Sequence, residues 1–239
     1  MILNLFKADI KFISRKPMLL MAFLAPFVLI IALRLGFPLF SNFIFLKTGF
    51  LIDSYYTLVA ITFVSIIPLL FGMVYAFLLL DKTDLQVLQV IALTHNGKKI
   101  LLNLRMIVPV FMSFIMILLS VILTNPVPDE GWLRTIFVSI LLSAQSPFIF
   151  LFIGSLAENK TEGLALTKLY GIFLITVPLG LILHHPWNYL AFFSPLYWLA
   201  WAWIARSAVE SLIYGAIAGI LTLSGIIIFF RHFLRKHTN

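Results

Sequence analysis

The stretch 78-LLLDKTDLQVLQVIALTHNGKKILLNLR-105 decides how the chain is read. It joins two very apolar segments, yet its middle carries capping residues, glutamines and a basic tail. Asp81 or Thr83 can start a helix there, with Thr83 and Gln86 spaced as a capping box. Leu85, Leu88 and Ala92 then fall on one face, while Asp84, Gln86 and Gln89 fall elsewhere. Asn96 and Gly97 after Thr94 and His95 stop it. The expectation is a short helix protruding between two membrane spans, with an apolar row available to a soluble partner.

The surroundings justify the word membrane. Of 239 residues, 62% are hydrophobic and 11% charged, outside the range of an ordinary soluble domain. Uncharged runs cover Ser54 to Leu80, Met106 to Pro128, Thr135 to Ala157 and Ser211 to Phe230, each long enough for a hydrocarbon core of about 30 Å. Pro17 to Leu33 is a shorter span that Arg34 can complete by extending its guanidinium to the interface. Leu169 to Ala205 is too long for one span and slightly short for two.

Charge placement resolves that ambiguity. With one span there, Lys7, Lys11, Arg15, Lys16, Lys82, Lys98, Lys99, Arg105, Lys160, Lys168, Arg231, Arg235 and Lys236 share one side, and only Arg34, Lys47, Arg134 and Arg206 lie on the other. This bias predicts six spans with both termini cytoplasmic. The fifth is then Leu169 to Leu183, and residues 184–206 form an outer re-entrant hairpin rich in Trp and Tyr. Pro195 disfavours helix at Ser194 and lets the chain turn. Tyr197, Trp198, Trp201 and Trp203 are the expected interfacial anchors, and Phe192 and Phe193 the expected plug of an outer gate that also includes Pro195 and Leu196. Residues 1–16 read as an amphipathic interfacial helix, with Leu5, Phe6, Ile10 and Ile13 near one face and Lys7, Lys11 and Arg15 on another. They do not read as a cleaved signal peptide.

The spans contain no ionisable residue of the kind that binds a coupling ion. Thr62, Ser113, Ser120, Ser143, Gln145 and Ser146 are their main polar groups, and hydrogen bonding between helices accounts for most of them. No phosphate-binding loop of the G-x-x-x-x-G-K-[ST] type is present, so energy for transport would come from another subunit. The absence of cysteine excludes disulfides and thiolate metal sites. The net charge of +8 is explained by topology and lipid headgroups, without nucleic acid. "KTDLQVL" from Lys82 and "KTEGLAL" from Lys160 share K-T-[DE]-x-x-x-L, each after an even-numbered span; a short repeat and shared capping chemistry both explain it. "NKT" at Asn159 matches a glycosylation acceptor but falls on the cytoplasmic side.

The order of these features resembles a permease subunit of the type-two ABC exporter family. The N-terminal helix ending in "SRKP", the first span with "LAPFVLI", the block from Leu78 to Arg105, the "AENKTEGLALTKLYG" turn and "FFSPLYW" carry the likeness along the whole chain. "ENKTEGLAL" resembles permeases of fluoroquinolone or other drug export. The family often has glutamate where Asp81 or Asp84 lies. The resemblance implies an all-α bundle in a bacterial cytoplasmic membrane, paired with a second permease subunit and with cytoplasmic ATPase subunits that hold ATP and Mg. It places the coupling region at 81–99, with Asp81, Asp84, Leu85, Gln86, Leu88, Gln89, Thr94 and His95 as its contacts. Phe63, Phe71, Tyr75, Gln145 and Phe148 are the pathway candidates, for a lipophilic drug, lipid or peptide. Two rival readings are an accessory membrane subunit and an intramembrane enzyme using His184, His185, Glu158 and Glu162. The last separates its groups across the bilayer, which disfavours a metal or catalytic cluster.

Overall fold

The computed structural model describes residues 2–81, 97–125, 131–182 and 187–238. Its regular elements are all helical, and no strand occurs among the described residues. In chain order they are α1 (Ile2–Ser14), α2 (Pro17–Ile31), α3 (Phe37–Thr48), α4 (Tyr56–Leu80), α5 (Gly97–Thr124), α6 (Trp132–Ser143), α7 (Gln145–Leu156), α8 (Lys160–Ile182), α9 (Pro195–Ile204) and α10 (Ala208–Thr238). Six stretches among these residues are long and apolar enough to cross a membrane: Pro17–Thr48, Ile52–Leu80, Arg105–Thr124, Trp132–Leu156, Lys160–Ile182 and Ala208–Arg235. The number agrees with the charge-based reading, but the fifth span's helix begins at Lys160, nine residues before the expected Leu169, so Lys168 lies within it. At about 1.5 Å per residue, the ten residues of α9 reach roughly half that depth.

The first span does not stop near Arg34, as its charge suggested. A π-helical turn, Ala32–Gly36, carries it into α3, making a continuous stretch of 32 residues. Pro38 has no N–H to give to the preceding turn, and the wider turn absorbs the mismatch, with the Phe37 N–H bonding to the Ala32 carbonyl. Arg34 turns sideways and donates to the Leu123 carbonyl at the end of α5. Tyr56, at the start of α4, donates to the neighbouring Thr124 carbonyl. The two side chains fix the same level on three spans. Beyond it, α3 ends at Gly49, whose φ of 72° is left-handed and suits a residue without Cβ. Ser41 then donates to Asp53 at 2.7 Å, tying α3 to the returning chain.

The fourth span is broken at Ala144 between α6 and α7. Pro147 cannot donate to the Ser143 carbonyl one turn back. The Ser146 hydroxyl donates to that carbonyl at 2.8 Å, so the break leaves it satisfied.

The bundle is built around α4, which packs against α2, α5, α7 and α8. Within their most apolar windows, 78% of the residues of the α4 span are buried, against 17–22% for the first, third, fifth and sixth spans. Gly72 lets α4 approach α7: a Cβ there would lie 2.6 Å from the Ser146 carbonyl oxygen and 2.9 Å from the Ile149 Cβ. Small residues at such crossings permit the close packing that holds helices together in lipid.

Candidate functional site

Three groups of residues bear on function, two at opposite ends of the bundle and one inside. At the end where α1 meets the bundle, α4 finishes at Asp81, whose N–H bonds to the Phe77 carbonyl at 3.1 Å. Its backbone is extended (φ −69°, ψ 128°), so the chain leaves the helix there. One carboxylate oxygen, Oδ2, accepts from both Lys16, between α1 and α2, and Lys160, in the first turn of α8, the latter at 2.5 Å. Asp81 is 9% exposed. A shielded carboxylate is stabilised by two ammonium groups far more than one in open water would be.

A second ion pair lies nearby in the fold. Arg105, on α5, is 3% exposed and stands 4.0 Å from the Asp9 carboxylate of α1. Ile13 of α1 is buried in the core, whereas Ile10 is exposed.

Of the residues assigned to the coupling region, Asp81 is described; Asp84, Leu85, Gln86, Leu88, Gln89, Thr94 and His95 lie outside the described residues. The stem of the third span is helical from Gly97, so residues 97–99 belong to α5. At the matching K-T-E turn, Asn159 Oδ1 accepts from the Glu162 N–H at 3.0 Å, and Glu162 accepts from the Asn159 amide at 2.7 Å and the Glu158 N–H at 2.8 Å. Glu162 is therefore engaged in the helix's own cap. His184 and His185 lie outside the described residues.

Inside the bundle, Gln145 is fully buried and links three spans. It donates to Thr222 of α10 at 2.6 Å and accepts from the Tyr170 hydroxyl of α8 at 3.3 Å. Around this point Phe148 stacks on Phe152 and meets Tyr170 tilted and Phe229 edge-on, at centroid distances of 5.8–6.4 Å. Of the pathway candidates, Phe71, Tyr75 and Gln145 are enclosed within the packing of one chain. Phe63 and Phe148 are half-buried and keep part of their surface available.

At the opposite end, a 3₁₀ turn, Trp187–Ala191, leads to Ser194 and then Pro195, the first residue of α9. Proline suits this position because the first helical N–H has no partner to lose. The Ser194 hydroxyl accepts from Thr176 of α8 at 2.8 Å. Leu196 and Tyr197 are buried, and the Tyr197 ring occupies the space that a Cβ on Gly180 would fill. Phe192 and Phe193, paired in the sequence reading as one plug, part company. Phe192 packs among Tyr189, Tyr197 and Trp198 at 4.9–5.1 Å, and its carbonyl accepts from the Trp198 indole at 2.8 Å. Phe193 is 59% exposed and meets Phe173 of α8 edge-on at 5.5 Å.

Sequence reasoning missed a groove of about 240 Å³ between α6 and α10, lined by Leu133, Arg134, Phe137, Ala208, Ser211 and Leu212. Its polar side chains turn to the backbone: Arg134 donates to the Ala205 carbonyl and Ser211 to the Ala202 carbonyl. No sequence pattern marks the groove, because its walls come from helices far apart in the chain.

Comparison with known proteins adds a family to this geometry. Residues 9–230 match the family described as fluoroquinolones export permease protein Rv2686c-like. The fluoroquinolones export permease proteins Rv2686c and MT2760, from two strains of Mycobacterium tuberculosis, H37Rv and CDC 1551 / Oshkosh, are each 25% identical over 233 residues, covering 96% of this chain and 92% of theirs. No solved structure matches the chain. A match over nearly the whole six-span bundle, from Asp9 of the N-terminal helix into α10, places the chain in the Rv2686c-like family of fluoroquinolones export permeases.

Proposed function

We propose that this chain is the membrane-spanning permease of an ATP-driven drug exporter, with ATP and Mg held by a separate cytoplasmic subunit and a second permease chain completing the pathway. The observation that carries the reading is the family match along the bundle, from Asp9 to Phe230. The related mycobacterial proteins are named for fluoroquinolone export, which supports an aromatic, amphipathic drug as substrate. The sequence offers no nucleotide loop, and no Asp, Glu or His falls in its uncharged runs 54–80, 106–128, 135–157 and 211–230, which supports an external energy source over a proton-coupled carrier.

In this reading the end that holds Lys16, Asp81 and Lys160 faces the cytoplasm, in keeping with the distribution of Lys and Arg. Segment 82–96 meets the ATPase, with Leu85 and Leu88 buried in its groove. The aromatic cluster around Phe192 and Trp198 closes the outer end.

The test is accumulation of a fluorescent fluoroquinolone in a drug-sensitive bacterium expressing the chain together with a candidate cytoplasmic ABC ATPase subunit from the same source. Accumulation should fall, and an ATPase variant unable to hydrolyse ATP should abolish the effect. Efflux that persists with that variant and collapses when the proton gradient is removed overturns ATP coupling. Accumulation equal to the empty-vector control overturns the drug assignment.

A further inference from the structure

We infer that the groove between α6 and α10 is a phospholipid site, with one acyl chain lying in the groove and the headgroup phosphate held at its open end by Arg206. The groove starts where the fourth and sixth spans start, at Trp132 and Ala208, so it lies at the membrane's edge. Deeper in the bundle the two helices touch: a Cβ on Gly215 would lie 2.5 Å from the Phe137 ring. Above that contact the small side chains of Ala208 and Ser211 leave room, and Leu133, Phe137 and Leu212 wall it. Ala208 and Gly215 are seven residues apart, which limits the groove to about 10 Å of depth.

The lining and its surroundings point to hydrocarbon. Ser211 directs its hydroxyl to the Ala202 carbonyl and Arg134 donates to the Ala205 carbonyl, so the interior of the groove is apolar. Leu133, 86% exposed, and the exposed Val209, Leu212 and Ile213 border it, all within stretches apolar enough to cross a membrane. An empty notch there would leave these side chains without dispersion contacts on one side. Size selects the occupant. A volume of about 240 Å³ falls below the roughly 300–1,000 Å³ of pockets that enclose a drug-sized ligand, and a helix about 10 Å across cannot enter. A flexible acyl chain can.

The open end carries the complementary charge. Trp132 is exposed just before the groove on α6, and tryptophan favours the headgroup level. Arg134 lines the groove there, and Arg206, which is exposed, follows the Ala205 whose carbonyl Arg134 binds. Of the four Lys and Arg residues that the charge pattern puts on this side, Arg34, Lys47, Arg134 and Arg206, two thus flank one groove. Glu210, the acid on the same turn, is engaged in the cap of α10. Its carboxylate accepts from the Arg206 N–H at 3.0 Å, and its own N–H donates to the Ser207 hydroxyl at 3.1 Å. A guanidinium presents a fork of donors that matches phosphate. The bound lipid fills the wedge beside the Ala202 and Ala205 carbonyls and so steadies the junction of α9 with α10, whatever the chain exports.

The experiment photolabels the full chain in detergent micelles with phosphatidylglycerol carrying a diazirine on one acyl chain, near its ester, and locates the label by mass spectrometry. Label should concentrate on Leu133, Phe137 and Leu212. Ala208→Phe, which fills the groove from an exposed position, should reduce it by about tenfold or more. Arg206→Gln should raise the lipid concentration needed for half-labelling about tenfold, and diazirine diacylglycerol with the same chains but no phosphate should label as weakly. Label spread evenly over exposed residues such as Ile115 and Ile172, or unchanged in Ala208→Phe, overturns the site. So does diacylglycerol labelling equal to that by phosphatidylglycerol. If Ala208→Phe does not insert, Ala208→Leu takes its place and is read in the same way. Displacement of the label by a fluoroquinolone would assign the groove to the drug. A disulfide between copies carrying Leu133→Cys, in a chain with no cysteine of its own, would assign it to a second permease chain. Either result overturns the phospholipid.

Discussion

The amide of Gln145 donates to the Thr222 hydroxyl at 2.6 Å, joining the second half of the fourth span to the last span inside the bundle. Tyr170 adds a third helix to the same side chain. Gln145 therefore serves first as glue between helices. Gln145→Leu should cost about 0.6 kcal/mol per lost bond and at most about 1.7 kcal/mol, the mean and upper limit for hydrogen bonds between membrane helices. Detergent-solubilised protein should melt earlier, while the drug specificity of efflux stays as in the parent. Changed specificity with an unchanged melting temperature would assign Gln145 to the pathway.

Gly72 sits where α4 touches α7. Gly72→Ala adds the Cβ that meets the Ser146 carbonyl, and the helices must separate or bend to accept it. A cost of about 1–3 kcal/mol, as for overpacking elsewhere, should appear as a lower yield of folded protein in fluorescence-detected size exclusion. Gly171, whose Cβ would meet nothing within 4 Å, provides the control: Gly171→Ala should match the parent. Equal yields for both variants would refute the close-approach argument.

The separation of Phe192 from Phe193 divides one expected phenotype into two. Phe193→Ala should leave folding intact and raise passive leak of a small dye from proteoliposomes, because the exposed ring can be removed without disturbing the cluster beneath. Phe192→Ala removes the hub of that cluster and should cost about 2 kcal/mol or more, measured as an earlier thermal transition. Parental leak in Phe193→Ala would reduce this region to an aromatic belt that only fixes tilt.

Six spans place both termini on one side. Cysteines introduced singly at Asn96 and Asn239 should react with a membrane-impermeant maleimide only after access to the cytoplasm, and one at Asp129 from outside in intact cells. Outside labelling of Asn239 would require the stretch from Leu169 to Ala205 to cross twice.

The charge pattern and span lengths were enough to read an all-helical chain with six helices long and apolar enough to cross a membrane, and Pro195 marked the start of α9. These features follow from costs that act locally: a charge is expensive in hydrocarbon, and proline cannot donate a hydrogen bond. The same local reasoning ended the first span at Arg34, because it treated the guanidinium as bound for water; the Leu123 carbonyl, supplied by another helix, satisfies it instead. Asp81 was legible as a helix-boundary residue, but its two lysine partners were not, since each arrives from a different helix. Only the tertiary structure could place α4 at the centre. Its sequence is apolar all round, like that of its neighbours, and lipid and protein interior are equally apolar surroundings. What distinguishes a central helix from a peripheral one is close packing at points such as Gly72, together with charges paired across the fold, and both come into being only when the helices meet.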